Sequence, residues 1–230
     1  MKTIGLLGGM SWESSIHYER MINEGVRAQL GGTASADLII RSYNFAAIEA
    51  MQEAGDWDGA GALLGHDARH LQDAGADVVV LCTNTMHLVA PAIEAAIDVP
   101  FLHLADCTAT AVLEADVSRV ALLGTRYTME EDFYRNRLEA QGLDVLVPDE
   151  PDRTTIHDVI FEELVQGLVR PESKARYLEA IDRLLDRGAT GVIAGCTEIE
   201  LLVGPDDVSV AYFPTTALHA EAAVRFALAD

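Results

Sequence analysis

The sequence predicts an α/β protein made of two similar halves, each built around a parallel sheet. Short, β-branched apolar segments alternate with longer segments of helical periodicity, which is the pattern of repeated βαβ units. The segment Ile4–Gly8 near the start also recurs as Val120–Gly124 just past the middle. The chain has 230 residues, 50% of them hydrophobic, so it is long enough for two lobes that each bury a core.

Strands are predicted where the apolar runs are short and bounded by turn residues. They are Thr3–Leu7, Asp37–Ser42, Asp77–Leu81, Val99–Leu102, Arg119–Leu123, Val145–Val147, Gly191–Ala194 and Val208–Ala211. Helices are predicted where apolar residues recur at helical spacing. These include Ser14–Leu30, Gly59–Ala74, Met129–Gln141, Thr154–Gln166, Ser173–Arg187 and, near the end of the chain, Thr216–Ala227.

A second repeated motif supports a duplication. Two later apolar runs each follow a Gly-Ala pair and end in Cys-Thr, at Cys82 and at Cys196. Nearly the same number of positions separates Gly8 from Cys82 and Gly124 from Cys196. Two motifs in the same order make chance repetition the weaker interpretation. We therefore expect lobes related by a pseudo-twofold axis, with the two cysteines at matching strand ends.

The charge of the chain excludes some classes of partner. There are 37 acidic and 16 basic residues, a formal net charge of -21, and no block of Lys or Arg. Nucleic acid and anionic membrane surfaces are therefore not expected partners. The acidic surplus is scattered and only Lys2 and Lys174 are lysines, which favours a halophilic protein adapted to a salt-rich cytoplasm over an ordinary acidic one.

The N-terminal apolar run is too short for a signal or membrane segment, and no other run reaches the roughly 18 residues that a spanning helix needs. We therefore expect a cytoplasmic protein. Three widely spaced cysteines in that compartment favour thiol chemistry or burial over disulfides and lack the spacing of a structural zinc site. Histidines such as His66, His70 and His157 form no metal-ligand pattern, so no metal is predicted.

Cys82 and Cys196 are the candidate catalytic residues. Both follow predicted parallel strands, at the sheet edge where ligands bind. Each precedes a predicted helix, whose positive end favours a thiolate. Burial in the core is the alternative for a free cysteine, but two at matching positions, each followed by Thr, favour function.

Matching strand ends that face each other would place one sulfur on each side of a bound carbon. This suits stereoinversion, in which one thiolate removes a proton and the opposite thiol delivers another to the other face. The polar residues that follow the cysteines suit a substrate carboxylate and its developing enediolate charge. His87 could assist a thiol or simply pack, and Cys107 is expected to be structural. The glycine run at Gly5–Gly9 lacks the spacing of a nucleotide-binding motif.

Three segments resemble the aspartate/glutamate racemase family, specifically its PLP-independent aspartate racemase branch: Ile4–Ser14, Cys82–His87 and Gly195–Ile199. The resemblance covers nearly the whole chain. It implies two flavodoxin-like lobes with parallel four-stranded sheets and the active site between them. Residues 1–104 with 215–230 would form the first lobe and residues 105–214 the second. It also implies a homodimer, no cofactor and a small amino-acid or dicarboxylate substrate.

The same resemblance implies that Cys82 and Cys196 transfer the protons. It also implies a set of substrate contacts: Met10, Gln52, Thr83, Asn84, Thr85, Thr125, Thr197 and Glu198. Retention of both cysteines favours racemisation over the one-thiol decarboxylases of the wider superfamily. One position departs from the family pattern, because Gln166 stands where aspartate-type members can carry a basic residue. A neutral amide binds a carboxylate less strongly than a cation does, although Arg170, Lys174 or Arg41 could substitute from a loop.

The predicted function is thus cofactor-independent racemisation of an amino acid, and aspartate and glutamate are the preferred candidates for the substrate. Two alternatives stay open at this point. One is a cysteine-dependent isomerase or lyase of a small dicarboxylate, similar to maleate isomerase, in which Cys82 attacks carbon covalently. The other is an inactive protein that binds a small carboxylate.

Overall fold

A computed structural model describes residues 1–229 and contains two four-stranded sheets in which every pairing is parallel. The first sheet consists of β1 (Ile4–Gly8), β2 (Leu38–Ser42), β3 (Val78–Leu81) and β4 (Phe101–Leu102), in the order β2-β1-β3-β4. The second consists of β5 (Arg119–Gly124), β6 (Asp144–Leu146), β7 (Gly191–Gly195) and β8 (Ala211–Pro214), in the order β6-β5-β7-β8. The predicted α/β class and the two parallel four-stranded sheets are confirmed.

Ten α-helices occur in the described residues. They are α1 (Trp12–Leu30), α2 (Phe45–Ala54), α3 (Trp57–Asp73), α4 (Ala90–Ala96), α5 (Leu104–Glu114), α6 (Arg126–Glu130), α7 (Asp132–Glu139), α8 (Asp152–Glu162), α9 (Pro171–Asp186) and α10 (Thr215–Leu228). Short 3₁₀ helices lie at Thr85–Val89, Leu164–Gln166, Thr197–Leu201 and Pro205–Asp207. Within residues 1–229, none of the helices is both long and apolar enough to cross a membrane.

Apart from shifts of one or two residues at the ends of elements, three predicted elements differ from the structure. The helix predicted over Met129–Gln141 is two helices, because Glu131 adopts an extended conformation with ψ of 144° between α6 and α7. The helix predicted over Thr154–Gln166 ends its α-helical part at Glu162. The last strand begins at Ala211, where pairing with Gly191 of β7 starts, so the prediction of Val208–Ala211 is wrong apart from its last residue.

The central strands are covered on both faces, as is typical of parallel sheets. All residues of β1, β3 and β7 are buried. On one face of the first sheet, Leu7 and Leu81 pack in a core that includes Leu64 of α3 and Ile93 of α4. On the other face, apolar residues of β1 and β3 pack against residues of α1 and α10. This core contains Ile4, Leu6, Tyr18, Ile22, Val26, Val78, Val80, Ala220, Ala223 and Val224.

Two compact units divide the chain. The first unit contains Met1–Leu104 and the C-terminal residues from His219, and the second contains Ala105–Leu218. His219 of α10 ties its helix to the first unit, since its ring nitrogens lie 2.9 Å from the Tyr18 hydroxyl and 2.8 Å from the Leu102 carbonyl oxygen. Burial lowers the pKa of His219 to about 4, so the ring is neutral at physiological pH. Asp230, which the sequence prediction placed in the first lobe, lies outside the described residues.

Candidate functional site

The first group of candidate residues lies where β1 and β3 end side by side. Leu7 pairs with Leu81, and the Cys82 amide donates a hydrogen bond of 2.9 Å to the Leu7 carbonyl oxygen. Because neighbouring parallel strands end at one edge, the loops that begin at Gly9 and Thr83 lie at the same edge of the sheet. We call this group the first strand-end cluster: Met10, Gln52, Cys82, Thr83, Asn84 and Thr85.

The loop after β1 has little conformational freedom. Gly9 has a φ of +84°, and a Cβ there would lie 2.4 Å from both the backbone nitrogen and oxygen of Tyr43. Only glycine fits such a position. Ser11 then caps α1 by accepting a hydrogen bond of 3.4 Å from the Ser14 amide. Met10, between them, is buried in the same core as Tyr43.

His87 holds the loop after β3. Its Nδ1 donates to the Thr83 carbonyl oxygen at 2.7 Å, because its Nε2 accepts from the Leu104 amide at 3.2 Å. Both ring nitrogens are therefore engaged with backbone, and the ring is buried. Of the two roles that the sequence left open for His87, packing and positioning fits this geometry better than assistance to a thiol.

Buried polar side chains accompany Cys82. Asn84 and Thr85 are both buried, while Thr83 is half-buried. Gln52 reaches the cluster from α2, where its amide nitrogen lies 3.0 Å from the Met86 sulfur. A thioether is a weak hydrogen-bond acceptor, so the Gln52 amide loses little free energy when it turns to a stronger acceptor. A cavity of about 250 Å³ in the first lobe is lined by Cys82 together with Gly8 and Ser15.

The second group lies where β5 and β7 end. Gly124 pairs with Gly195, so that Thr125 and Cys196 leave neighbouring strands at the same level. A Cβ on Gly195 would lie 2.7 Å from the Leu123 carbonyl oxygen, so glycine permits the close approach of these strand ends. Thr125 caps α6 by accepting from the Thr128 amide at 3.4 Å. We call this group the second strand-end cluster: Thr125, Cys196, Thr197 and Glu198.

Cys196 has a carboxylate within hydrogen-bonding distance. Its thiol donates to Glu198 Oε2 at 2.9 Å, and both residues are buried. The adjacent Thr197 hydroxyl lies 2.8 Å from that of Thr216, at the start of α10. Thr215 in turn donates to the Ala194 carbonyl oxygen at 2.8 Å, which ties this helix start to β7.

The sequence prediction that helix dipoles favour both thiolates is wrong for this structure. Burial raises the pKa of Cys82 far above its ordinary value. Burial also raises the pKa of Cys196, and the negative charge of Glu198 raises it further. The helices that follow are short 3₁₀ helices, and full desolvation of the sulfurs outweighs any dipole that they supply. Both thiols are therefore protonated at neutral pH, and a base must accept a proton before either sulfur becomes a nucleophile or base.

Glu200 is a neighbour of this site that the sequence analysis missed. Its Oε1 is buried and has no hydrogen-bond partner among the described residues. Burial raises its pKa to about 7, with Thr216 opposing the shift and Glu198 adding to it. The signal in the sequence was the pair of acids at Glu198 and Glu200 in the segment that follows Cys196.

The cations proposed to replace a basic residue at Gln166 are each paired. Gln166 itself is exposed, in the 3₁₀ helix Leu164–Gln166. The three cations form ion pairs within their own lobes: Arg41 with Asp67 at 2.8 Å, Arg170 with Glu163 at 3.3 Å, and Lys174 with Asp207 at 2.7 Å. Each of these cations is thus already engaged with a carboxylate of its own lobe.

Comparison with known proteins places the chain in a family. A sequence profile of the Asp/Glu/hydantoin racemases matches residues 7–223. The crystal structure of a provisionally named Asp/Glu racemase from Yersinia pestis is 51% identical, covers 100% of both chains and superposes with a TM-score of 0.95. An aspartate racemase homologue from Pyrococcus horikoshii is 34% identical over 99% of each chain, with a TM-score of 0.87.

A more distant relative is itself an amino-acid racemase. The broad-specificity amino-acid racemase RacX of Bacillus subtilis is 22% identical over 166 residues, which are 69% of this chain and 68% of RacX. The profile match spans both strand-end clusters and nearly all of the described fold. The chain therefore belongs to the Asp/Glu/hydantoin racemase family.

Proposed function

We propose that the protein racemises an amino acid without a cofactor, with aspartate or glutamate as its substrate. Cys82 and Cys196 would exchange the α-proton on opposite faces of the substrate. The observation that carries this proposal is the equivalence of the two thiols: each directly follows the third strand of a sheet with the same strand order. The reaction requires both sulfurs to reach one α-carbon.

Both thiols are neutral before the reaction begins. In this proposal Glu198 accepts the proton of Cys196, to which it is already hydrogen-bonded at 2.9 Å. The resulting thiolate removes the α-proton, and the electron pair of the C–H bond moves into the substrate carboxylate as an enediolate. The Cys82 thiol then delivers its proton to the opposite face, so one proton is taken and one returned. The reverse direction begins with a thiolate at Cys82.

The enediolate needs hydrogen-bond donors where its charge develops. We assign this task to the polar residues of both clusters: Thr83, Asn84, Thr85, Thr125 and Thr197. Met10 and Gln52 would contact the remainder of the substrate. Water must be excluded for efficient proton transfer, and the burial of both sulfurs favours this.

The preference for an acidic side chain rests on family membership and on the similarity to the Yersinia pestis protein. The exposed Gln166 and the paired cations Arg41, Arg170 and Lys174 supply no ready partner for a second carboxylate. The Gln52 amide, whose nitrogen lies 3.0 Å from the Met86 thioether sulfur, is the group that we assign to that carboxylate. We further propose that the protein is cytoplasmic and that it forms a homodimer. Light scattering at several protein concentrations would test the dimer.

The experiment is α-proton exchange with deuterated water across a panel of D- and L-amino acids, run in high salt. Both enantiomers of aspartate or glutamate should exchange and interconvert. Cys82→Ser and Cys196→Ser should each lower racemisation by roughly a hundredfold or more, whereas Cys107→Ser should retain it. Exchange limited to non-acidic amino acids would overturn the assignment of aspartate or glutamate as the substrate, but not the two-cysteine mechanism. Racemisation that survives either cysteine variant would overturn the mechanism.

One observation favours a second candidate function, because Cys82 lines a cavity of about 250 Å³ that a small molecule could enter. A cysteine-dependent isomerase of a small dicarboxylate would use Cys82 for covalent attack. Mass spectrometry of protein incubated with maleate would then show an adduct that Cys82→Ser abolishes. Binding of a dicarboxylate without exchange or adduct would instead indicate an inactive binding protein.

A further inference from the structure

Helix α3 carries a group of potential metal ligands that none of the catalytic steps above uses. We call it the α3 cluster: His66, Asp67 and His70. One ligand atom from each residue lies within 4.8 Å of the other two. The two imidazoles are exposed, at 65% and 63%, while the Asp67 side chain is only 10% exposed. The histidines are therefore open to an ion from solvent, and the carboxylate forms the floor between them.

Helical spacing explains why the group converges. Residues four apart lie on one face of a helix, so His66 and His70 point the same way. Their ring centroids are 4.1 Å apart. The Nδ1 atoms of His66 and His70 lie 3.2 Å and 3.8 Å from the same atom, Asp67 Oδ1. Three potential ligand atoms from about one and a half turns of helix thus lie close together, and the His66 Nδ1 atom is hydrogen-bonded to Asp67 Oδ1 while no ion is present.

A residue from another element fixes the carboxylate. Arg41 of β2 donates from Nε to Asp67 Oδ2 at 2.8 Å and from its NH1 nitrogen to the Ser42 carbonyl oxygen at 2.8 Å. Its guanidinium also lies 4.3 Å from the centre of the Tyr43 ring. With Oδ2 held in this way, Oδ1 is the oxygen presented to the two imidazoles. Outer partners of this kind orient the ligating carboxylates of metal sites.

We propose that the α3 cluster binds a divalent transition-metal ion, Zn²⁺ or Ni²⁺, through His66, Asp67 and His70. Two imidazole nitrogens and one carboxylate oxygen suit these ions, with water completing the coordination. Mg²⁺ and Ca²⁺ prefer sets of oxygen ligands, which this cluster lacks. The positive charge of Arg41 partly offsets the negative charge of the Asp67 carboxylate. The imidazoles therefore supply most of the affinity for the ion.

The test is isothermal titration calorimetry of the full chain with Zn²⁺ and, separately, with Ni²⁺. We expect one equivalent to bind, and His66→Ala and His70→Ala to weaken binding by roughly tenfold or more. His17→Ala, on α1, is the matched control and should bind as the unaltered protein does. A variant with both Cys82→Ser and Cys196→Ser should also retain the site, which distinguishes it from capture of the ion by thiols.

A second measurement, of the melting temperature, tests binding of the ion in the variants independently of calorimetry. A bound ion stabilises the folded state by mass action, so saturating Zn²⁺ should raise the melting temperature of the unaltered protein but not that of His70→Ala. The exposed imidazoles make few contacts, so both alanine variants should fold. The proposal is overturned if the unaltered protein binds neither ion, or if His66→Ala and His70→Ala bind as tightly as His17→Ala.

Discussion

The thiol of Cys196 donates a hydrogen bond of 2.9 Å to the carboxylate of Glu198, two residues further along the chain. The extended conformation of Cys196, with φ of −158° and ψ of 134°, leads from β7 into the 3₁₀ helix that carries Glu198. A buried thiol and a buried carboxylate are thus joined by local geometry alone. Since burial keeps the thiol protonated, the carboxylate is the nearest group that can take its proton.

Glu198→Gln should lower the turnover number more than it raises KM. The amide keeps the shape of the side chain but is a far weaker base, so formation of the Cys196 thiolate becomes unfavourable. We expect a fall in kcat of about 10² to 10³, in the range of general acid–base catalysis. Steady-state racemisation of the best substrate measures it, with the exposed Glu162→Gln as control. A normal kcat in Glu198→Gln would show that Cys196 loses its proton elsewhere.

Glu200→Gln should change how stability depends on pH. The pKa of Glu200 is raised by burial from its ordinary value of 4.5 to about 7. A raised pKa means that the neutral acid favours folding below pH 4.5, and that this contribution is lost as pH rises through 7. The unaltered protein should therefore lose stability relative to Glu200→Gln between those pH values, by at most about 3 kcal/mol.

Urea unfolding of both proteins at pH 5 and pH 8 measures this difference. The comparison is between the two pH values within each protein, so any constant effect of the substitution cancels. An equal change with pH in Glu200→Gln and in the unaltered protein would mean that Glu200 ionises in the folded state as it does in the unfolded chain.

Gly9→Ala should destabilise the protein and impair the reaction. A Cβ at Gly9 would lie 2.4 Å from backbone atoms of Tyr43, and φ is +84°. Gly55 has a comparable φ of +67° but nothing within 4 Å of its Cβ position, so Gly55→Ala is the matched control. We expect Gly55→Ala to cost about 1 kcal/mol and Gly9→Ala roughly 2 kcal/mol more. Thermal unfolding and racemisation assays would compare the two variants. Equal losses of stability in Gly9→Ala and Gly55→Ala would contradict the close contact with Tyr43.

Potassium chloride should raise the melting temperature. The net charge of -21 makes the folded chain repel itself, and screening at about 1 M salt shortens the range of that repulsion to a few ångströms. Calorimetry in a KCl series measures the effect, and a parallel series with sucrose controls for general exclusion effects. A flat or falling melting temperature in KCl would remove the halophilic interpretation.

The central strands β1, β3 and β7 were predictable because they are fully buried and so appear as continuous apolar runs. The Cys-Thr pairs at Cys82 and Cys196 likewise could be assigned to strand ends, since the repeat fixes their order. The break between α6 and α7 could not, because only the backbone of Glu131 interrupts an otherwise helical pattern.

Electrostatic properties of the site were less predictable, because they depend on contacts distant in sequence. The prediction of thiolates considered only the helices that follow Cys82 and Cys196, whereas burial by the rest of each lobe decides their pKa. Similarly, the prediction that His66 and His70 form no metal-ligand pattern left out Asp67, which lies within 4.8 Å of both, and the contact that fixes its carboxylate comes from Arg41, 26 positions away.

The course of the chain through α10 delays the completion of the first lobe. The Lys2 amide donates to the Ala227 carbonyl oxygen at 2.8 Å, and residues from His219 onward cover one face of the first sheet. During synthesis these residues emerge only after the entire second unit. The lobe that is made first therefore cannot cover this face of its sheet until α10 has been made.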